Sequence, residues 1–166
     1  LDLIIGTDYG SFSRLSLGAA ATCAPVVTFD HHVLSDQRGL LLIDQNACSA
    51  CEIIYHFLNF CGLAFDKFLA TCLLAGIYED TGGFRHSNAG PDVLKIAGDL
   101  LMRGAAYSKI IKNLTKDNMA DVFGAWALGM QRAIFDKDSG VIYSYVSCRD
   151  FPEAEKMAKE VISLPI

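Results

Sequence analysis

The chain has 166 residues, of which 52% are hydrophobic, enough for one domain of ordinary size with a filled core. Its 14 Lys and Arg stand against 19 Asp and Glu, a net charge of −5, which is the wrong sign for gripping a phosphate backbone through a broad basic surface. Any anionic ligand must therefore be neutralised locally.

Residues 2–7 (DLIIGT) and 26–29 (VVTF) are short apolar runs of the kind found in parallel strands buried on both faces. SRLSLGAAATC (13–23) between them has helical composition, with Pro25 as a stop, so the start reads as a β-α-β unit. GLLLID (39–44) makes a third strand. A helix started by Ser49 then runs through ACEIIYHFLNF to near Gly62. Further helices are predicted over 65–80, over 92–103 after Pro91 with Gly104 as its terminator, and near 107–114 and 117–132. AIFDKDSGVIYSYVS (133–147) reads as a β-hairpin around Lys-Asp-Ser-Gly, and EAEKMAKEVI (153–162) as a short amphipathic helix. The pattern predicts an α/β fold, a doubly wound, mostly parallel sheet flanked by helices, in a single domain over 1–166. The chain starts in LDLIIGTD without Met and stops at EVISLPI, which suggests a piece truncated at both ends.

No apolar run reaches the length of a bilayer span, so no membrane partner is expected. The six cysteines (23, 48, 51, 61, 72, 148) are scattered, mostly within apolar helical patterns. This suits reduced, buried thiols and a cytoplasmic location. Cys48, Cys51, His56 and Cys61 also have the C-x2-C-x4-H-x4-C spacing of a zinc knuckle, a nucleic-acid-binding alternative. Against it, EIIYHFLNF is a continuous helical run without glycine, Lys or Arg.

In an open parallel sheet, ligands bind beyond the carboxyl ends of the strands. Asp8 follows the first strand there, and Asp30-His31-His32 follow the second. A third acid, Asp80, precedes a break at Gly82-Gly83 into a polar loop carrying Arg85, His86, Ser87 and Asn88. Each group has a plainer reading by itself: Asp8 as a helix cap, the triplet as a hydrogen-bonded turn, Asp80 as part of a helix stop, Arg85 and His86 as solvated loop residues. Together they offer carboxylates and an imidazole, a mixed oxygen and nitrogen donor set suited to Mn²⁺ or a similar divalent ion. Adjacent side chains diverge, so His31 is assigned to the metal with Asp8 and Asp80, and His32 to the substrate.

IIGTDYGS, VVTFDHHVLS, QNACSACEIIY and AGIYEDTGGFRHSN, in this order and spacing from Asp8 to about Ser147, resemble the DHH phosphoesterases. The resemblance implies a two-metal, usually Mn²⁺-dependent hydrolase, with Mg²⁺ or Co²⁺ as substitutes. Asp8 would bridge both ions, His31 and Asp80 would complete one, and Asp30 would orient an imidazole from behind. His32 and Arg85, with His86 and Asn88 from the same loop, would contact substrate. Its implied partner is a small phosphorylated molecule: a short oligonucleotide, phosphoadenosine phosphate (pAp), a cyclic dinucleotide or polyphosphate. The family's first motif, a His and two Asp on an upstream strand, has no counterpart here, nor has its C-terminal DHHA1-type domain. The intact parent is thus expected to be the hydrolase, and this fragment alone weak or inactive. A degenerate, non-catalytic DHH-like binding module is the remaining alternative, and the apolar 65–80 helix could support a homodimer.

Overall fold

The computed structural model describes residues 2–15, 24–33, 38–114, 119–147 and 149–150. They divide into two compact units, Leu1–Ile111 and Lys112–Ile166.

The first unit is built on a parallel sheet of β1 (Ile4–Thr7), β2 (Val26–Asp30) and β3 (Leu40–Ile43), in that spatial order. Ile5 pairs with Val27 and Val27 with Leu40, so the three strands end at one edge. Gly39 leads into β3 at φ 76°, and a side chain there would run into the Val26 carbonyl; only glycine lets the strands pair at this point. Of the β-α-β reading, a 3-10 helix at Phe12–Leu15 follows β1, while 16–23 lie outside the described residues.

The expectation of strands buried on both faces holds for β2 alone. Ile4 and Val26 are covered by Tyr9, Leu15, Ala24, Leu41 and Ile43. On the opposite face Phe29 packs edge-on against Phe57, ring centroids 5.2 Å apart. β1 instead alternates buried and exposed residues, leaving Ile5 61% exposed, and Leu40 of β3 is 62% exposed.

Helices α1 (Ala50–Phe60), α2 (Lys67–Asp80), α3 (Pro91–Met102) and α4 (Tyr107–Leu114) follow. The Ser49 side chain accepts a hydrogen bond from Glu52 N at 3.2 Å while Glu52 Oε2 accepts from Cys48 N at 2.6 Å, a reciprocal cap that starts α1 where the sequence places it. α2 begins two residues later than expected because Asp66 caps it, accepting from the amides of Phe68 and Leu69. Pro91 opens α3, and Gly104 at φ 91° follows its end. The core lies between α1, α2 and α3, where Ala70, Leu74, Ile77 and Leu100 are fully buried among Leu73, Val93 and Ile96. Tyr55 of α1 donates to Asp99 of α3 at 2.9 Å, and Arg103 grips the same carboxylate at 2.7 Å.

The second unit holds α5 (Met119–Gln131) and an antiparallel hairpin of β4 (Ile134–Asp136) and β5 (Val141–Tyr143). Its turn is the Lys-Asp-Ser-Gly segment. Asp136 accepts from Asp138 N and the Ser139 hydroxyl, and Gly140 takes φ 69°. Arg132, following α5, pairs with both carboxylate oxygens of Asp150 at 2.6 and 2.9 Å. The helix expected over 153–162 lies outside the described residues.

The cysteines depart from expectation. Cys48 is buried and Cys51 half-buried, but Cys61 and Cys72 are exposed, and Cys23 and Cys148 lie outside the described residues. No helix among the described residues is long and apolar enough to cross a membrane.

Candidate metal centre

Parallel pairing delivers the acids to one edge of the sheet. Asp8, one residue past β1, has φ 54° and donates its amide to Phe29 O at 3.0 Å, which ties the turn after β1 to the end of β2. Left-handed backbone at a non-glycine residue is uncommon, and Asp is among the few types that accept it.

Asp30 organises the ground beneath. It is fully buried, and its Oδ2 accepts from the amides of Tyr9 (2.9 Å) and Gly10 (2.8 Å). Its Oδ1 accepts from His32 N at 2.9 Å and lies 2.8 Å from His32 Nδ1. Burial is the largest influence on this carboxyl and pushes its pKa up, but the four hydrogen bonds together outweigh it and hold the value at about 2. An ionised Asp30 therefore fastens the β1 turn to the histidine pair and keeps a proton on His32 Nδ1.

Both imidazoles then meet Asp8. His31 Nε2 and His32 Nδ1 each lie 3.4 Å from Asp8 Oδ1, and the rings are 4.4 Å apart. One ligand atom from each of Asp8, His31 and His32 falls within 4.8 Å of the others. His31 Nδ1 is 3.3 Å from the Ala47 carbonyl, a partner that places the proton on Nδ1 and leaves the Nε2 lone pair towards Asp8. Divergence of the adjacent histidines, expected from the sequence, is thus corrected: Asp30 pulls His32 back to the same carboxylate that His31 faces.

Asp80, the last residue of α2, stands outside that trio but lines a cavity with Asp8. The cavity, about 210 Å³, is bounded by Thr7, Asp8, Ala50, Cys51, Ile54, Gly76, Glu79 and Asp80. Burial raises the Asp80 pKa, the charge of Asp8 raises it further, and His31 opposes the shift. The charge of Asp8 thus works against an ionised Asp80, and a cation between the two would remove that conflict. Sequence reasoning missed Glu79, whose only signal was its place three residues after Gly76 on the same helical face.

The loop after α2 is shaped by backbone demands. The buried Thr81 hydroxyl donates to Ile77 O at 2.7 Å and accepts from Phe84 N at 3.0 Å. Gly82, Gly83 and Phe84 then take φ 56°, 69° and 65° in succession. Arg85, His86 and Asn88, expected at the substrate, are exposed and do not line the cavity. Arg85 Nε donates to Gly82 O at 2.7 Å, His86 Nδ1 lies 3.4 Å from Asp80 O, and the Asn88 amide donates to Asp80 O at 3.2 Å and to Cys48 O at 3.4 Å. All three are engaged in holding the loop and the end of α2.

The knuckle alternative fails on geometry. Cys48 and Cys61 stand at opposite ends of the 11-residue α1, about 20 Å apart by helical rise, too far for a shared tetrahedral ion. Burial pushes the Cys48 thiol up to about 12 and the Cys51 thiol to about 11, so both are protonated and fill core space.

No protein-family model matches the chain. It is 30% identical over 90 residues to the bifunctional oligoribonuclease and PAP phosphatase NrnA of Thermus thermophilus, covering 54% of this chain and 28% of that protein. An exopolyphosphatase-related protein from Bacteroides fragilis shares the fold with a TM-score of 0.76 at 18% identity, over 95% of this chain and 47% of its own. The chain thus spans less than half the length of either. The order of its motifs and the edge at which they meet agree with these likenesses, and together they support a similarity to DHH-type phosphoesterases over part of their length.

Proposed function

We propose that the protein is a divalent-metal phosphoesterase acting on small phosphorylated substrates, and that this chain carries much of its ion-binding edge. The observation that carries the reading is the meeting of Asp8, His31 and His32 within 4.8 Å at the carboxyl ends of two paired parallel strands. The donors fit such an ion: one carboxylate and imidazole nitrogen, with a second carboxylate, Asp80, across the recess. Asp8, His31 and Asp80 would hold Mn²⁺, with Mg²⁺ or Co²⁺ as substitutes. When bound, the metal supplies positive charge for the phosphoryl group and activates water.

The chain's own residues do the rest. Asp30 fixes the tilt of His32 through Nδ1, and with a second proton on the ring its Nε2–H would donate to a phosphate oxygen or to the leaving group. Arg85 offers its terminal nitrogens from a loop held by Thr81 and Gly82. His86 and Asn88 act through the Asp80 carbonyl, which fixes the end of α2. Short oligoribonucleotides and phosphoadenosine phosphate are the favoured substrates, since the Thermus thermophilus protein that the chain resembles is an oligoribonuclease and PAP phosphatase; cyclic dinucleotides and polyphosphate are the comparison set.

The test has two arms. Mn²⁺ binding to this chain, followed by loss of the free-ion paramagnetic resonance signal, is expected for the wild type and is expected to be lost in Asp8→Asn and His31→Ala. Hydrolysis of the four substrates with Mn²⁺ is measured in the longest form of the protein that its gene encodes. Binding that survives Asp8→Asn, or a parent that cleaves none of them, overturns the reading.

A further inference from the structure

The protein carries a net charge of −5, yet its reading as a phosphoesterase requires it to seat a phosphate. Beside the charge a bound metal would supply, a fixed cation close to the histidine pair would help to hold it. Neither the motif order nor the likeness to known proteins assigns one on the β1 side of the site.

The turn after β1 supplies it. Asp8 and Gly10 both take left-handed backbone, at φ 54° and 65°, and fold the chain back over Asp30, which accepts the Tyr9 and Gly10 amides. The following 3-10 helix, Phe12–Leu15, is short, and Arg14 N bonds back to Ser11 O at 2.9 Å. This brings the Arg14 guanidinium to the same place as the His32 ring. A side chain on Gly10 would meet Arg14 Nη1 at 3.6 Å and His32 Cγ at 3.7 Å. The space a Cβ on Gly10 would fill is thus bordered by both the arginine and the imidazole, and it is open because residue 10 has no side chain. Arg14 is exposed, and among the described residues no carboxylate lies within ion-pair distance of it.

We propose that Arg14 is a substrate-binding residue that holds, beside His32, the non-bridging oxygens of the phosphate to be cleaved. This rests on the phosphoesterase reading and adds to it an arginine that would share the phosphate with the metal and His32. A guanidinium suits the task because its planar fork can engage two phosphate oxygens at once, which a lysine ammonium cannot.

Arg14→Gln and Arg14→Lys are compared with wild type in the longest form of the protein, with Mn²⁺ present. Substrate KM and the inhibition constant of inorganic phosphate are expected to rise roughly tenfold to a hundredfold in Arg14→Gln, the scale of one lost charge-assisted bond, with an intermediate rise in Arg14→Lys. Circular dichroism checks that both variants fold. Unchanged KM and phosphate inhibition in a folded Arg14→Gln protein that still needs Asp8 for hydrolysis overturn the Arg14 assignment and leave the phosphoesterase standing. If instead nothing is hydrolysed, the phosphoesterase reading fails, and phosphorus resonance of inorganic phosphate titrated with the protein still decides Arg14. Equal binding by wild type and Arg14→Gln, or none by either, refutes it; weaker binding by the variant retains an anion site there.

Discussion

Asp30 is the residue on which the site's geometry turns, and its environment makes a pH-dependent forecast. Its folded pKa of about 2 lies below the ordinary carboxyl value of 3.8. A depressed carboxyl contributes stability that is fully present above the ordinary value and is lost as the pH falls through the folded one. For a group this buried the contribution is on the order of 2 kcal/mol. Denaturant unfolding is therefore expected to show the wild type weakening between about pH 4 and pH 2, beyond the slope shared by Asp30→Asn. At neutral pH Asp30→Asn is expected to be destabilised by on the order of 2 kcal/mol, because an amide cannot accept from donors on both sides. Equal acid slopes in the two proteins would remove Asp30 from its organising role. At this scale the residue types were legible in the sequence, since an acid followed by two imidazoles at the end of an apolar run needs partners. Which imidazole Asp30 would take was not legible, because that depends on hydrogen bonds reaching across from Tyr9 and Gly10.

Between elements, the close passage of α1 and α2 sets the floor of the recess. Gly76 of α2 lies against Cys51 of α1, and a Cβ there would strike the Cys51 sulfur. Alanine normally stabilises a helix relative to glycine by about 1 kcal/mol, but overpacking at this contact is expected to reverse the sign and cost about 1–3 kcal/mol. In a Cys51→Ala background the sulfur is gone, and Gly76→Ala should become nearly neutral or stabilising. Additive effects in this double-mutant cycle, read from unfolding midpoints, would contradict the contact. Element positions were largely readable: Ser49, Pro91 and Gly104 are boundary signals that each stand at or next to a helix end here, whereas Asp66, read as inside a helix, caps α2 instead. The burial of strands was less so, because apolarity does not say which face receives a helix. Ile5 and Leu40 are as apolar as Val26, yet only Val26 has Tyr9 and Leu15 packed over it.

For the whole molecule the governing fact is negative charge gathered at one edge of the first unit. Without an ion, Asp8 and Asp80 face one recess, and burial together with the charge of Asp8 raises the Asp80 pKa. Mn²⁺ is therefore expected to raise the unfolding temperature of the wild type, by the equivalent of about 2.7 kcal/mol at a hundred times its Kd, and to leave Asp8→Asn unmoved. In metal-free buffer the order should invert, with Asp8→Asn at least as stable as wild type. Calorimetry with and without Mn²⁺ checks both statements, and a wild type indifferent to the ion would count against the site.

The order of residue types along the chain was enough to determine that strands would end in acids and imidazoles, that the ends would share an edge, and that a glycine pair would release the loop after Asp80. Short apolar runs with a helical segment between the first two imply parallel pairing, and parallel pairing brings strand ends together. Tertiary structure alone decided the convergence of His31 and His32 on Asp8, the use of Arg85, His86 and Asn88 as loop fasteners, the entry of Glu79 into the recess and the approach of Arg14 to His32. These depend on where a side chain points. That direction is set by left-handed backbone at Asp8, Gly10 and Phe84 and by hydrogen bonds between segments distant in sequence, neither of which local spacing encodes.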